Sequence, residues 1–182
     1  MISNATRAPS VAVRRLDIDN LPAYKALREA VLAAHPSAFT SDAAEGRSRT
    51  ADSYRSRLGL ERPEGGAFIL GAWHAETLIG AISCERDVRV KVRHIGHIVG
   101  MMVSDRHKRQ GVGAALLAAC IDESRGSDGL EMLTLTVTAG NASAIRLYEA
   151  AGFVRYGTLR KAICFEGRYF DKDQMVLALS NA

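Results

Sequence analysis

Two glycines spaced one residue apart, Gly111 and Gly113, follow four consecutive basic residues, Arg106, His107, Lys108 and Arg109, and open an apolar helical pattern. Without a Cβ, the backbone at such a pair can come close to whatever sits at the helix start. The first N–H groups of a helix have no partner inside it, and the helix dipole favours negative charge at that end. The first turn carries no Asp or Glu that would occupy the site from within. Types and order together describe a seat for a phosphate or pyrophosphate. A tight turn behind a solvated basic loop fits the same residues. No Gly-Lys-Ser/Thr follows, so this is not a Walker loop, and the third glycine of a dinucleotide fingerprint is missing.

The elements around this turn must hold it. The apolar run Ile98 to Val103 is strand-like and leads into it, and Leu116, Leu117, Cys120 and Ile121 recur at helical spacing behind it. Further along, Leu130 to Thr138 alternates Leu and Thr as a strand does. Asn141 suits the N-cap of a helix over Ala142 to Ala151, and Gly152 suits its left-handed stop, with the apolar Phe153 beyond. Upstream, Val11 to Leu16 reads as a first strand. A helix from Asp19 or Asn20 to His35-Pro36 carries Leu21, Tyr24, Leu27, Val31 and Leu32 on one face. Ser37 to Thr50 reads as loop and Ala51 to Leu60 as a second helix. In this region Phe39, Arg47, Tyr54 and Arg57 could line a substrate site or serve as packing and surface residues. Ala67 to His74 and Leu78 to Cys84 form a hairpin, Glu85 to Arg93 a charged loop, and His94 to Val103 the central strand. Val154 to Lys161 and Tyr169 to Leu179 close the fold. With no repeats or Pro-rich linkers, residues 11–182 read as one α/β domain behind a disordered stretch, residues 1–10.

The chain has 182 residues, 47% of them hydrophobic and 24% charged, the composition of an ordinary soluble domain with a core of its own. Its 24 basic and 20 acidic residues give a net charge of +4, which suits an anionic ligand. The basic residues are not interleaved with aromatics, which argues against nucleic acid. Cys84, Cys120 and Cys164 are scattered, with no metal-ligand spacing, so no metal is expected and a cytoplasmic, reducing setting is the simplest. The longest apolar run, Gly111 to Ile121, is too short to cross a bilayer, so no membrane is expected.

Taken together, the glycine turn and the Asn141 helix resemble the GNAT superfamily of acyl-CoA-dependent N-acyltransferases. The likeness is carried by Met101-Met-Val103 with Arg109-Gln-Gly-Val-Gly-Ala114, and by Asn141, Tyr148, Glu149, Gly152 and Phe153. The resemblance implies a mixed, mostly antiparallel sheet of about seven strands with helices on both faces. That sheet would split into a V where a pantetheine arm inserts. It implies acetyl-CoA as cosubstrate. Its pyrophosphate would lie on the amides of Arg109, Gln110, Gly111, Val112, Gly113 and Ala114, and its pantetheine would pair with Met101, Met102 and Val103 as an added strand. Asn141 would contact the cofactor, and Tyr148 would face the departing sulfur. The two are seven residues apart, two helical turns, and so share one face about 10 Å apart. Relatives are often dimers, which makes a homodimer an expectation to carry forward.

The sequence departs from the family pattern in two places. Lys108 stands where Gln or Arg is usual. No carboxylate lies on the central strand, and Thr136 stands where peptide-acetylating relatives carry a glutamate. His94 and His97 are the titratable groups left on that strand; three apart, they face opposite sides, and His97 is taken as the catalytic candidate beside Tyr148. The expected activity is acetyl transfer to a primary amine of a small molecule by direct attack in a ternary complex. Acetylation of a protein N-terminus or lysine, or acyl-CoA binding without catalysis, are the alternatives.

Overall fold

The computed structural model describes residues 11–61 and 64–179, so residues 1–10 lie outside the described part. The chain begins with strand β1 (Ala12–Arg15), helix α1 (Leu21–Ala34) and a short helix α2 (Ala43–Ser48). Strands β2 (Phe68–His74), β3 (Thr77–Arg86) and β4 (Ile95–Val103) follow. Then come α3 (Val112–Arg125), β5 (Met132–Thr138), α4 (Ala142–Ala150), β6 (Val154–Phe165) and β7 (Arg168–Ala178). The strands make one seven-stranded sheet in the order β1-β2-β3-β4-β5-β7-β6. Only β4 and β5 run parallel; the other neighbours are antiparallel.

Each face of the sheet carries its own core. On one, Val112, Leu116, Leu117, Cys120 and Ile121 of α3 pack on Phe68, Ile82, Ile98 and Leu133. Burying one such leucine removes enough apolar surface to contribute about 2 kcal/mol. On the other face, Leu21, Tyr24, Leu27 and Val31 of α1 meet Ile69, Trp73 and Ala81. β2 and β3 are therefore covered on both sides, which is why they read as unbroken apolar runs rather than alternating ones.

The sheet parts at its centre. β4 and β5 are paired only from Ile95↔Met132 to Ile98↔Leu135. Beyond that, β5 continues along β7 to Thr138↔Lys172, while β4 stays with β3 to Gly80↔Val103. Between Ala81↔Met102 and Ser83↔Val99, β4 has one residue more than β3, a bulge that bends the strand away. Gly100 lies inside it at φ +61°, where a side chain would be strained. Alternate backbone groups of β4 past Ile98 consequently face the gap with no strand partner.

Beyond strand ends that shift by a few residues (β3 runs to Arg86, β4 starts at Ile95, β6 runs to Phe165), local structure differs from the sequence reading in three places. Ser37 to Thr50, read as loop, contains α2, capped by Asp42 accepting from the amides of Ala44 (2.7 Å) and Glu45 (3.1 Å). Gly46 disguises that turn in sequence; α2 sits against α1, where a Cβ on Gly46 would make an ordinary 3.5 Å contact with Leu32. Ala51–Leu58 is a 3-10 helix closed by Gly59 at φ +67°. At the start of α1, Asn20 is the cap residue but makes no side-chain cap. Its side chain instead completes a capping box with Asp17 around the preceding turn. Gly152, at φ +93°, ends α4 as expected.

Candidate active site

The glycine turn hangs between β4 and α3. Arg109 (φ +60°) and Gly111 (φ +80°) are both left-handed, which curls the chain so that its amides open outward. Gly111 is the N-cap of α3, with no side-chain cap and no acidic residue in the first turn. A Cβ placed on Gly111 would meet nothing within 4 Å. The side chain of Gln110 braces the turn by donating to the Arg106 carbonyl at 2.9 Å. These features fit a bound diphosphate: open amides, free approach and positive potential.

Part of the basic run is already engaged. Lys108 reaches Asp105 at 2.5 Å and His35 meets the same carboxylate at 2.7 Å. Lys108 first, then His35, holds Asp105 below the usual carboxylate range. His107 hydrogen-bonds to Ser104 Oγ at 2.8 Å. Among the described residues of this run, Arg106 and Arg109 are the cations not held by a neighbouring side chain.

From the turn, the gap between β4 and β5 leads inward to a cavity of about 280 Å³. Met101 and Asn141 line it and also line a second depression on the turn side, where Met102 and Val103 join them. Asn141 caps α4, its Oδ1 accepting from the Ala144 amide at 3.2 Å, which leaves its NH₂ for the gap. Tyr148 lies on the same helix, 7% exposed, edge-on to Phe153 with ring centroids 5.9 Å apart. Its hydroxyl donates to Met101 Sδ at 3.3 Å. A thioether is a weak acceptor, so that hydrogen bond costs little to exchange for one to a charged sulfur. Burial, with a smaller contribution from Cys120, pushes Tyr148 up to about 12, so its phenol stays neutral.

The structure thus brings Met101, Asn141 and Tyr148 together around the gap, with the turn from Arg109 to Ala114 at its outer end. His97 stands apart. It is exposed, its Nδ1 lies 2.7 Å from Thr134 Oγ1, and it is not among the residues lining the cavity. His94 precedes β4 rather than belonging to it. Of the four residues considered for the substrate side, Phe39 and Arg57 line the cavity, Tyr54 is core and Arg47 is not part of the wall. Asp171 accepts from the Lys161 amide, and the buried Asp173 is held by Thr158 and Arg155; neither faces the cavity. The sequence reading passed over Arg28 and Lys172. Arg28 shares the buried face of α1 with Tyr24, a helical position at which a charge signals a site, and it lines the cavity with Lys172.

Cys120 and Cys84 are buried, and burial pushes both thiols up, Cys84 to about 11, so neither is a nucleophile. Among the described residues, no helix is long and apolar enough to cross a membrane.

A sheet that splays beside an uncapped glycine-led helix, with a buried tyrosine at the inner end of the gap, defines an acyltransferase-type architecture. Residues 25–153 match the acetyltransferase (GNAT) family, and the chain belongs to that family. It is 35% identical over 80 residues to N-alpha-acetyltransferase 30 of Xenopus laevis, a match over 44% of this chain and 29% of that protein. It is 30% identical over 94 residues to the L-amino acid N-acetyltransferase AaaT of Escherichia coli, over 52% of this chain and 57% of that one. The matched stretches therefore span less than two thirds of these relatives. In fold, the chain is similar to a GNAT-family acetyltransferase from Streptococcus pneumoniae (TM-score 0.83, 23% identity, 94% of this chain and 100% of that one). It is also similar to yncA, a putative acetyltransferase from Salmonella typhimurium whose structure contains acetyl-CoA (TM-score 0.80, 23% identity, 95% and 96%).

Proposed function

We propose that this protein is an acetyl-CoA-dependent N-acetyltransferase whose acceptor is the primary amine of a small molecule. The observation that carries the reading is the continuity of one slot. It starts at the open amides of Gly111 to Ala114, passes the unpaired edge of β4, and ends at the Tyr148 hydroxyl beside the cavity. Acetyl-CoA supplies an activated thioester, which the amine attacks directly in a ternary complex. The backbone of Arg109 to Ala114 holds the diphosphate. Unpaired groups of Met101 to Val103 pair with the amide-bearing arm, and a backbone N–H there polarises the thioester carbonyl.

Tyr148 stabilises the departing sulfur. With its phenol near 12 and a thiol near 8.5, full proton transfer would run uphill by roughly 5 kcal/mol. Tyr148 therefore acts as a hydrogen-bond donor to the thiolate, which leaves without taking the proton. As the amide forms, the second proton on nitrogen passes through solvent to the departed thiolate; the first, from the ammonium, is taken through water by His97. It lies two residues from the cavity-lining Val99, on the same face of β4.

A small acceptor is favoured over a peptide because the cavity wall contains no carboxylate to attract a protein N-terminus, and Thr136 occupies the β5 position facing it. The test is calorimetric titration with acetyl-CoA followed by thiol release across a panel of small amines and peptides. Binding with turnover on small amines is the expected result. Binding without turnover on any amine would make the protein a binding module, and preferential turnover of peptides would move the substrate class.

A further inference from the structure

Three hydrogen-bond donors converge around Gly100: Arg28 and Arg57 line the cavity, and the Tyr24 hydroxyl lies buried behind them. A point one carbon out from the Gly100 Cα lies 3.4 Å from Arg28 Nη1, 3.5 Å from Tyr24 Oη and 3.9 Å from Arg57 Nη1. Tyr24 is fully buried, and its hydroxyl has no hydrogen-bond partner among the described residues. Arg28 is 6% exposed; its guanidinium donates to Ser41 Oγ at 2.7 Å and lies 5.8 Å from the Tyr54 ring, with no carboxylate beside it among the described residues. Arg57 gives its Nε to Glu85 at 3.0 Å, which leaves the terminal nitrogens of the fork for the cavity. On the opposite wall, Lys172 donates to Thr40 Oγ1 at 2.7 Å.

Such an arrangement is costly unless something answers it. An unpaired buried hydroxyl loses its water without replacement, and a buried guanidinium without a counter-charge loses more. A planar oxyanion in the cavity would answer both guanidinium groups at once, because two such forks are matched to the two oxygens of a carboxylate, with the Tyr24 phenol close behind. The bulge contributes directly. Gly100 has no side chain to occupy the point where the donors meet, and its left-handed backbone keeps side chains from evolving there cheaply.

We propose that the acceptor is an amino carboxylate, its carboxylate seated between Arg28, Arg57 and Tyr24 and its amine directed toward Met101 and Tyr148. This rests on the acetyltransferase reading above and adds to it the charge of the substrate. The carboxylate end fixes which way the molecule lies, so the amine is delivered to the slot. A decarboxylated or amidated analogue would leave the three donors unanswered and bind poorly.

The experiment compares thiol release for each proteinogenic L-amino acid with that for its carboxamide, and with a short peptide carrying the same N-terminal residue. In the wild type, the best amino acid is expected to exceed its carboxamide at least 30-fold in kcat/KM. In Arg28→Gln that ratio should fall to about threefold, while acetyl-CoA binding by calorimetry stays within threefold of wild type. Tyr24→Phe, which removes one donor and keeps the ring packed, should lower the ratio about fivefold and guards against a folding defect in Arg28→Gln. Equal rates on both members of each pair, preference for carboxamide or peptide, or acetyl-CoA binding with no turnover of any pair would overturn the assignment. Loss of acetyl-CoA binding in the wild type would instead take down the acetyltransferase reading itself.

Discussion

Replacing Gly111 with aspartate isolates the electrostatic part of cofactor binding. The position is left-handed and exposed, and a side chain there meets nothing within 4 Å. Steric interference is therefore small, and the conformational cost is at most about 2 kcal/mol, lower for Asp and Asn than for most residues. At about 2–4 °C per kcal/mol for a chain of this size, the melting temperature should fall by less than about 8 °C. The new carboxylate would sit about 5 Å from a diphosphate of charge about −2. With an effective dielectric near 40, between surface and bulk values, their repulsion is about 3 kcal/mol, a roughly 200-fold loss of affinity. Gly111→Asn has the same shape and backbone demand without the charge, and should lose about fivefold or less. Calorimetric titration with acetyl-CoA at low salt compares the two. The Asp penalty should shrink in 0.5 M salt, since the site is exposed and screened over about 4 Å or less at such ionic strength. If Gly111→Asp binds as tightly as Gly111→Asn at low salt, no anion rests on the α3 N-terminus and the slot runs elsewhere.

Other outcomes follow from the same geometry. Tyr148→Phe should lower kcat about 100-fold and leave the acetyl-CoA dissociation constant within threefold; an unchanged kcat would remove the hydroxyl from the reaction. Because burial raises the Tyr148 phenol from about 10 to about 12, its contribution to stability is fully present below pH 10 and lost as pH rises through 12. Wild-type melts should thus steepen in their alkaline decline relative to Tyr148→Phe only above pH 10. His97→Gln should lower kcat/KM up to tenfold while acetyl-CoA binding stays within threefold; an unchanged kcat/KM would remove the histidine from the reaction. Leu116→Ala, at a fully buried position of α3, should cost about 2–5 kcal/mol in urea unfolding, and a cost below 1 kcal/mol would contradict the packing described.

The sheet and its major helices were legible because their signals are local. The α3 stripe, the alternation of β5, and the Asn141 cap with its Gly152 stop each lie within a few turns of chain. The glycine turn was legible for the same reason, since Arg109 to Ala114 are contiguous. The cavity was not. Arg28, Tyr24, Arg57 and Gly100 come from α1, the 3-10 helix and β4, and nothing in their sequence separation predicts that they meet. Phe39 and Arg57 were named among residues open to a substrate-site role, and Arg28 left a trace of its own, a charge on the buried face of an amphipathic helix. α2 escaped because six residues with a central glycine give too short a period to read. His97 was read toward the site from its strand; periodicity two gives the face it shares with Val99, while its distance along the strand from the cavity becomes visible only in the fold.

An interrupted sheet is usually a liability, since unpaired strand groups invite another chain to add itself. Here the interruption is interior. One ladder of four residue pairs, Ile95 to Ile98 with Met132 to Leu135, is all that ties β1–β4 to β5–β7 through the sheet. An occupant of the gap must be unbranched, about one strand thick, and must offer amide groups at strand-like intervals. The free edge is therefore selective as well as a docking edge: a plain hydrocarbon tail has nothing to pair with. Any arm that fits both criteria would also stitch the two halves of the molecule together, so occupancy and mechanical integrity are properties of the same few backbone groups.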